Sequence, residues 1–320
     1  ECTLGWFQYK SISRMYYMFS DNINNLCKNL KPIDEPLDII CEGGAFLGFY
    51  QNGALQLIKE MERNKLVSVE RISGVSIGAI NSFLYLVDKL DKFDEYFVQI
   101  KNELIEEQQL SSLEGIINDL VTNIDDETFE HLQNKLWITY YDTESCKQII
   151  CSTYDTRQKL LESLCRSCFI PSFVKTSEVV ERNSQISYVD GITPHIFQDF
   201  RNKNVLFLSI AQIDWAKHII FMRNENRITA RIMFGILDAY DFFHTHKRTK
   251  ICSYVNNWNL IDFISLHGKE YFGFYLVLLF MLSREMMKKF YPFFKEFSMF
   301  QHLEYMIMKL ASTILIYCVQ

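Results

Sequence analysis

A serine between glycines, Gly74-Val75-Ser76-Ile77-Gly78, separates an apolar stretch at 69–73 from a pattern in which Ile80, Phe83, Leu84 and Val87 share one helical face. Strand, sharp turn, helix is the order of a nucleophile elbow. The turn presents the serine hydroxyl, and the amide end of the following helix favours negative charge developing beside it. Gly74 and Gly78 leave room where strand and helix approach closely. The same five residues also fit a purely structural glycine-rich turn. Two other segments carry groups that would complete acyl-transfer chemistry. Gly43-Gly44-Ala45-Phe46-Leu47-Gly48 follows the apolar run Leu37-Asp38-Ile39-Ile40-Cys41 and opens a helical pattern. Its small residues allow backbone N–H groups to face a cavity and hold an oxyanion. A phosphate cradle and plain helix–strand packing are the competing readings. The G-x-G-x-x-G spacing is not met, and no G-x-x-x-x-G-K-[ST] is present. In Tyr188-Val189-Asp190-Gly191 a short strand ends in a carboxylate. It is a candidate base or a plain turn, Asp-Gly being a common turn dipeptide.

In this order the segments resemble the patatin-like phospholipase family over residues 37–215. Ser167-Cys168-Phe169-Ile170-Pro171-Ser172-Phe173 is similar to the family's A-S-x-A-x-P-x-x-F stretch. Gly44-Ala45-Phe46-Leu47-Gly48-Phe49-Tyr50 looks like the branch containing adiponutrin and adipose triglyceride lipase. The resemblance implies a three-layer α/β/α fold with a mostly parallel sheet. It also implies a carboxylic ester hydrolase that forms an acyl-serine, with Ser76 as nucleophile and Asp190 as base. The N–H groups of Gly43, Gly44 and Ala45 would form the oxyanion hole, with Gly48, Gly74, Gly78 and Gly191 supporting the motifs. No metal and no cofactor are implied. Three positions depart from the family pattern: Ala45 for a third glycine, Leu47 for a cation, and Ile192 for a Gly or Ala after Asp190-Gly191. A β-branched residue resists positive φ, so the loop beside Asp190 is expected to differ. A catalytically weak lipid-binding or regulatory module is the alternative. A conventional triad through a histidine is the third reading; His195 follows Asp190 closely, and His218, His244, His246 and His267 have no motif around them.

The elements that must position these residues alternate in type. Strands are expected at 37–41, 69–73, 136–141, 186–189 and 205–210, and helices after Gly44, after Ser76 and over 157–168. Such alternation belongs to a parallel sheet covered by helices. Charged residues 91–131 read as a helical insertion over the site. The division expected is a helical extension over 1–33, a catalytic domain over 34–215, and a helical, aromatic-rich C-terminal region over 216–320.

The 320 residues, 48% hydrophobic and 22% charged, describe a folded globular chain. A net charge of -6 without a basic block argues against nucleic acid as a partner. Nine scattered cysteines read as reduced, mostly buried thiols, and Cys165-Arg166-Ser167-Cys168 lacks the second pair of a zinc site. The first twenty residues do not read as a secretory signal, and a chain opening at Glu1 reads as processed or trimmed. A cytoplasmic, peripherally membrane-associated protein is expected. The uncharged run 271–283 is too short to cross a bilayer. With Phe280, Met281, Met286, Met287, Phe290, Tyr291, Phe293 and Phe294 nearby, and a second uncharged run at 310–320, it reads either as core helix or as a face contacting lipid at a membrane or lipid droplet.

Overall fold

The computed structural model describes residues 22–93, 95, 96, 99, 100, 103, 110–170, 174, 180–182, 185–198, 203–210 and 226–294. Residues 1–21 of the expected extension, Pro171 to Phe173, 211–225 with His218, and the run 310–320 lie outside these. So do the side chains of Phe280, Met281, Met287, Phe290, Tyr291, Phe293 and Phe294.

β1 (Leu37–Cys41) leads through a 3₁₀ turn, Ala45–Leu47, into α1 (Gly48–Arg63), and β2 (Val69–Val75) leads into α2 (Ile77–Leu86). α3 (Leu113–Thr122) and α4 (Asp126–His131) precede β3 (Leu136–Asp142). Then follow β4 (Lys147–Cys151), α5 (Arg157–Ser167), the small pair β5 (Glu181–Arg182) and β6 (Gln185–Ile186), and β7 (Tyr188–Asp190). The rest of the described chain is β8 (Asn204–Leu208), α6 (Asn226–Thr245), β9 (Cys252–Tyr254) and α7 (Leu260–Phe294). Among the described residues seven strands form one sheet in the order β4-β3-β2-β1-β8-β9, with β7 also beside β3. The central four run parallel. β4, β7 and β9 are added antiparallel at the margins.

Side chains of successive strand residues leave opposite faces of a sheet, and both faces are covered here. Leu37, Ile39 and Cys41 of β1 and Leu206 and Leu208 of β8 join the main core with α1, α2, α5 and α6. Ile40, Val205 and Phe207 point the other way, against Phe197, Val255 and Leu266. The result is the expected three-layer α/β/α arrangement. The described part of 91–131 is core rather than cover: Ile116, Ile117, Leu120 and Val121 of α3 are buried in the main cluster, because the helix has an apolar stripe that α5 accepts. The chain beyond 215 joins the same sheet and core. β9 pairs with β8. α6 meets α1 so closely that a Cβ on Gly235 would lie 1.9 Å from the Tyr50 carbonyl oxygen. Among the described residues no helix is long and apolar enough to cross a membrane.

The register at one end of the sheet matters most for the site. β2 pairs with β3 up to Val75 opposite Thr139. Asp190 of β7 pairs with the next residue, Tyr140, while β4 occupies the other edge of β3. β7 therefore fills the place that β2 vacates when the chain turns away at Ser76.

Candidate active site

Ser76 caps α2 with φ 55° and ψ -130°, a conformation that costs a non-glycine residue on the order of 1–3 kcal/mol. Surroundings hold it there. Its N–H donates to Ser167 Oγ at 2.9 Å. A Cβ on Gly74 would lie 2.3 Å from the Gly78 carbonyl oxygen, and one on Gly78 would lie 2.4 Å from that of Cys41, so any larger residue would push α2 off the strands. Ser76 itself is 9% exposed.

Asp190 enters from the opposite direction. Its N–H donates to the Phe169 carbonyl at 2.9 Å, and its carboxylate accepts the N–H of Ile192 at 2.9 Å. The side chain of Ser76 is close enough to the carboxylate to draw its titration downward. Asp190 keeps a little exposed surface but is closely surrounded by protein. Burial pushes its carboxyl up to about 6, against the opposing pull of Ser76 and of the bond from Ile192.

The glycine-rich loop lies against this pair. A Cβ on Gly43 would meet Ser76 Cβ at 3.2 Å. No acceptor among the described residues takes the N–H groups of Gly43, Gly44 or Ala45. Glu42, just ahead of them and buried, accepts from Ser209 Oγ and the Ile210 N–H, both at 2.9 Å, and from Lys269 Nζ at 3.1 Å. Behind the loop, Asn81 Nδ2 donates to the Gly48 carbonyl at 3.0 Å. Ala45 takes φ 45° and Ile192 takes φ 63°. The loop beside Asp190 thus adopts the left-handed turn despite its β-branched residue. Ile192 lies against Gly273 of α7, where an added Cβ would come within 2.4 Å of Ile192 Cγ2, and its N–H is tied to Asp190. A Cβ on Gly191 would lie 2.5 Å from the Thr139 carbonyl oxygen.

A family model described as patatin-like phospholipase matches residues 39–193, which contain the loop, the elbow and Asp190. Just under half of the chain is thus similar to this family. Omega-hydroxyceramide transacylase of Homo sapiens is 24% identical over 168 residues, covering 49% of this chain and 31% of that protein. The enzyme of the same name from Mus musculus is 22% identical over 167 residues, covering 49% and 27%. The matched stretch thus spans less than a third of each relative. The matched family comprises lipid acyl hydrolases and acyltransferases, enzymes that act on esters.

Three of the described histidines have partners away from Ser76 and Asp190. His195 stacks on Trp137 with ring centroids 5.0 Å apart, His244 stacks on Tyr240, and His267 pairs with Glu270. Cys165 and Cys168 are free thiols buried at the end of α5, and burial pushes that of Cys165 up to about 12. Of the seven free cysteines among the described residues, five are buried and Cys146 is exposed. Sequence reasoning missed Glu42, Ser167 and the contacts of α7. A carboxylate closing an apolar strand was a readable signal for Glu42. α7 lies against the residues around the site: Lys269 bonds to Glu42, Glu270 accepts from the Tyr141 hydroxyl at 3.3 Å, Gly273 supports Ile192, and Phe274 packs beside Tyr141.

This contact predicts a measurable coupling. Gly273→Ala should destabilise the chain by about 1–3 kcal/mol through overpacking, although alanine favours a helix by about 1 kcal/mol over glycine. In an Ile192→Ala background the same change should stabilise. A double-mutant cycle by urea unfolding measures the difference, and additivity would show that α7 does not hold Ile192.

Proposed function

We propose that the chain is a serine lipid acyl hydrolase of the phospholipase A or acylglycerol lipase type. Ser76 Oγ attacks the ester carbonyl and passes its proton to Asp190. The N–H groups of Gly43, Gly44 and Ala45 receive the oxyanion. Asp190 returns the proton to the departing alcohol, leaving acyl-Ser76. Water, deprotonated by Asp190, then releases the fatty acid. The observation that carries this reading is the β3 register that brings Asp190, its carboxyl raised to about 6, beside Ser76. An ordinary aspartate, near 4, is a poor match for work at neutral pH; one near 6 is closer to the optimum for a general base. The free amides beside Ser76 support the oxyanion assignment. The left-handed turn at Ile192 keeps an N–H on Asp190 and so weakens the argument for a catalytically weak module. A second reading follows from the relatives, which are named transacylases: a lipid hydroxyl in place of water takes the acyl group from Ser76. Product analysis with and without an added long-chain alcohol separates the two.

We place the substrate at a lipid surface that α7 contacts, with the protein peripheral to it. Leu260, Ile261, Ile264, Tyr271, Phe272, Tyr275, Leu279, Leu282 and Met286 are all exposed. At 100° per residue they fall in an arc of about 120° along about 40 Å of helix. The opposite face carries Phe263, Leu266 and Phe274, which pack on the domain. A helix apolar on its outer side, lying against the residues around the site, suits uptake of an acyl chain from a lipid phase.

Three outcomes are expected. A fluorophosphonate probe labels the chain; Ser76→Ala abolishes labelling, and Asp190→Asn slows it by about 10²- to 10⁴-fold. Labelling that survives Ser76→Ala removes the assigned nucleophile. Because only ionised Asp190 accepts a proton, kcat/KM should fall on the acid side of about pH 6. The same carboxyl makes folding stability fall as pH rises between about 4 and 6, since its folded value exceeds the unfolded one. An acid limb near pH 4 would contradict the assignment of Asp190. Finally, the chain should float with phosphatidylcholine vesicles. Tyr275→Asp with Leu279→Asp should remove flotation while leaving labelling by a soluble fluorophosphonate intact; unchanged flotation would place the lipid contact elsewhere.

A further inference from the structure

We propose that the end of α5, Ser167 to Phe169, is a bracket that positions both reactive side chains, with Ser167 as the residue that acts through its side chain. The proposal rests on the Ser76–Asp190 reading and adds to it a residue that touches neither substrate nor proton. Ser167 is fully buried. Its hydroxyl donates to the Thr139 carbonyl at 2.7 Å. A serine hydroxyl has one proton, so this bond orients the oxygen to accept, and it accepts the N–H of Ser76 at 2.9 Å. Two residues on, the Phe169 carbonyl accepts the N–H of Asp190 at 2.9 Å. One short span at a helix end therefore fixes the main chain of both groups.

The shared acceptor strengthens the link. Thr139 lies opposite Val75, the residue before Ser76, and its carbonyl is packed against Gly191, the residue after Asp190. The relay Ser76 N–H, Ser167 hydroxyl, Thr139 carbonyl thus joins the strained elbow to the strand on which β7 finds its register. It also commits the Ser76 amide to the protein interior. An oxyanion must then be met by other donors, which agrees with the free amides of Gly43, Gly44 and Ala45.

The test uses the full chain with Ser167→Ala, Ser167→Thr and Ser167→Cys. The readouts are kcat and KM on a soluble ester, fluorophosphonate labelling rate, the pH profile, and the urea midpoint. Ser167→Ala should lower kcat and labelling by about 100-fold with KM unchanged, the scale expected when a reactive group is slightly misplaced. Its acid limb should move to higher pH, because the side chain of a displaced Ser76 no longer draws the Asp190 carboxyl down. Ser167→Thr, which keeps the hydroxyl, should recover most of the rate. If the alanine variant does not fold, Ser167→Cys keeps the volume with a weaker hydrogen bond and should show the same loss in kcat at the parental urea midpoint. Parental kcat and labelling in whichever of the alanine and cysteine variants folds, a loss confined to KM, or a loss that threonine does not recover would overturn the bracket. Ser76→Ala is the control: if it abolishes labelling while the Ser167 alanine and cysteine variants react normally, the bracket fails and the nucleophile stands. If it leaves labelling intact, the underlying reading fails instead.

Discussion

The arrangement depends on one exchange of strands along β3. β2 holds its edge as far as Thr139, then leaves at Ser76; β7 arrives antiparallel and takes over at Tyr140. A backbone ladder has a fixed spacing, so the last residue of one strand and the first of the other cannot avoid each other. Ser76 is forced outward by its turn, and Asp190 meets it because the next rung of the ladder belongs to β7. Everything else at the site sharpens this meeting: glycines let α2 back onto the strands, Ser167 holds the elbow, and Phe169 holds the amide of Asp190.

Electrostatics and strain follow from the same crowding. Asp190 is charged only at a cost because protein surrounds it, which moves its titration toward neutrality. Ala45, Ser76 and Ile192 all take positive φ, one in each loop that converges on the crevice. Backbone strain of this kind persists only where neighbours over-determine it, and it gathers at functional sites. α7 supplies part of that restraint through Lys269 on Glu42 and Gly273 on Ile192, while its other side presents bare apolar surface. A single helix thus connects the proposed chemistry to the proposed lipid phase.

The local signals were legible in the sequence. Apolar runs gave β1, β2, β3 and β8, since strands buried on both faces leave little else to read. The elbow was visible because strand, glycines and helix follow one another within a few residues. Less was legible where partners are distant. Ser167 acts on a residue 91 positions away, and Glu42 meets a lysine 227 positions on. β4, with its exposed Lys147 and Ile150, and the three-residue β9 lacked a strong alternation. α7 carries apolar residues on opposite sides, so no single stripe marked it, and the uncharged run 271–283 is only its middle. At Ile192 local propensity opposed positive φ, and tertiary packing against Gly273 overrode it.

The central claim is geometric: a hydroxyl, a carboxylate and a row of free amides share one crevice. A crystal structure of the chain after reaction with a phosphonate ester tests it most directly. We expect phosphorus bonded to Ser76 Oγ, its unesterified oxygen within hydrogen-bond reach of the Gly43, Gly44 and Ala45 amides, and Asp190 beside the remaining oxygen. A phosphonyl oxygen turned away from that loop, or an adduct on any other residue, would contradict the account.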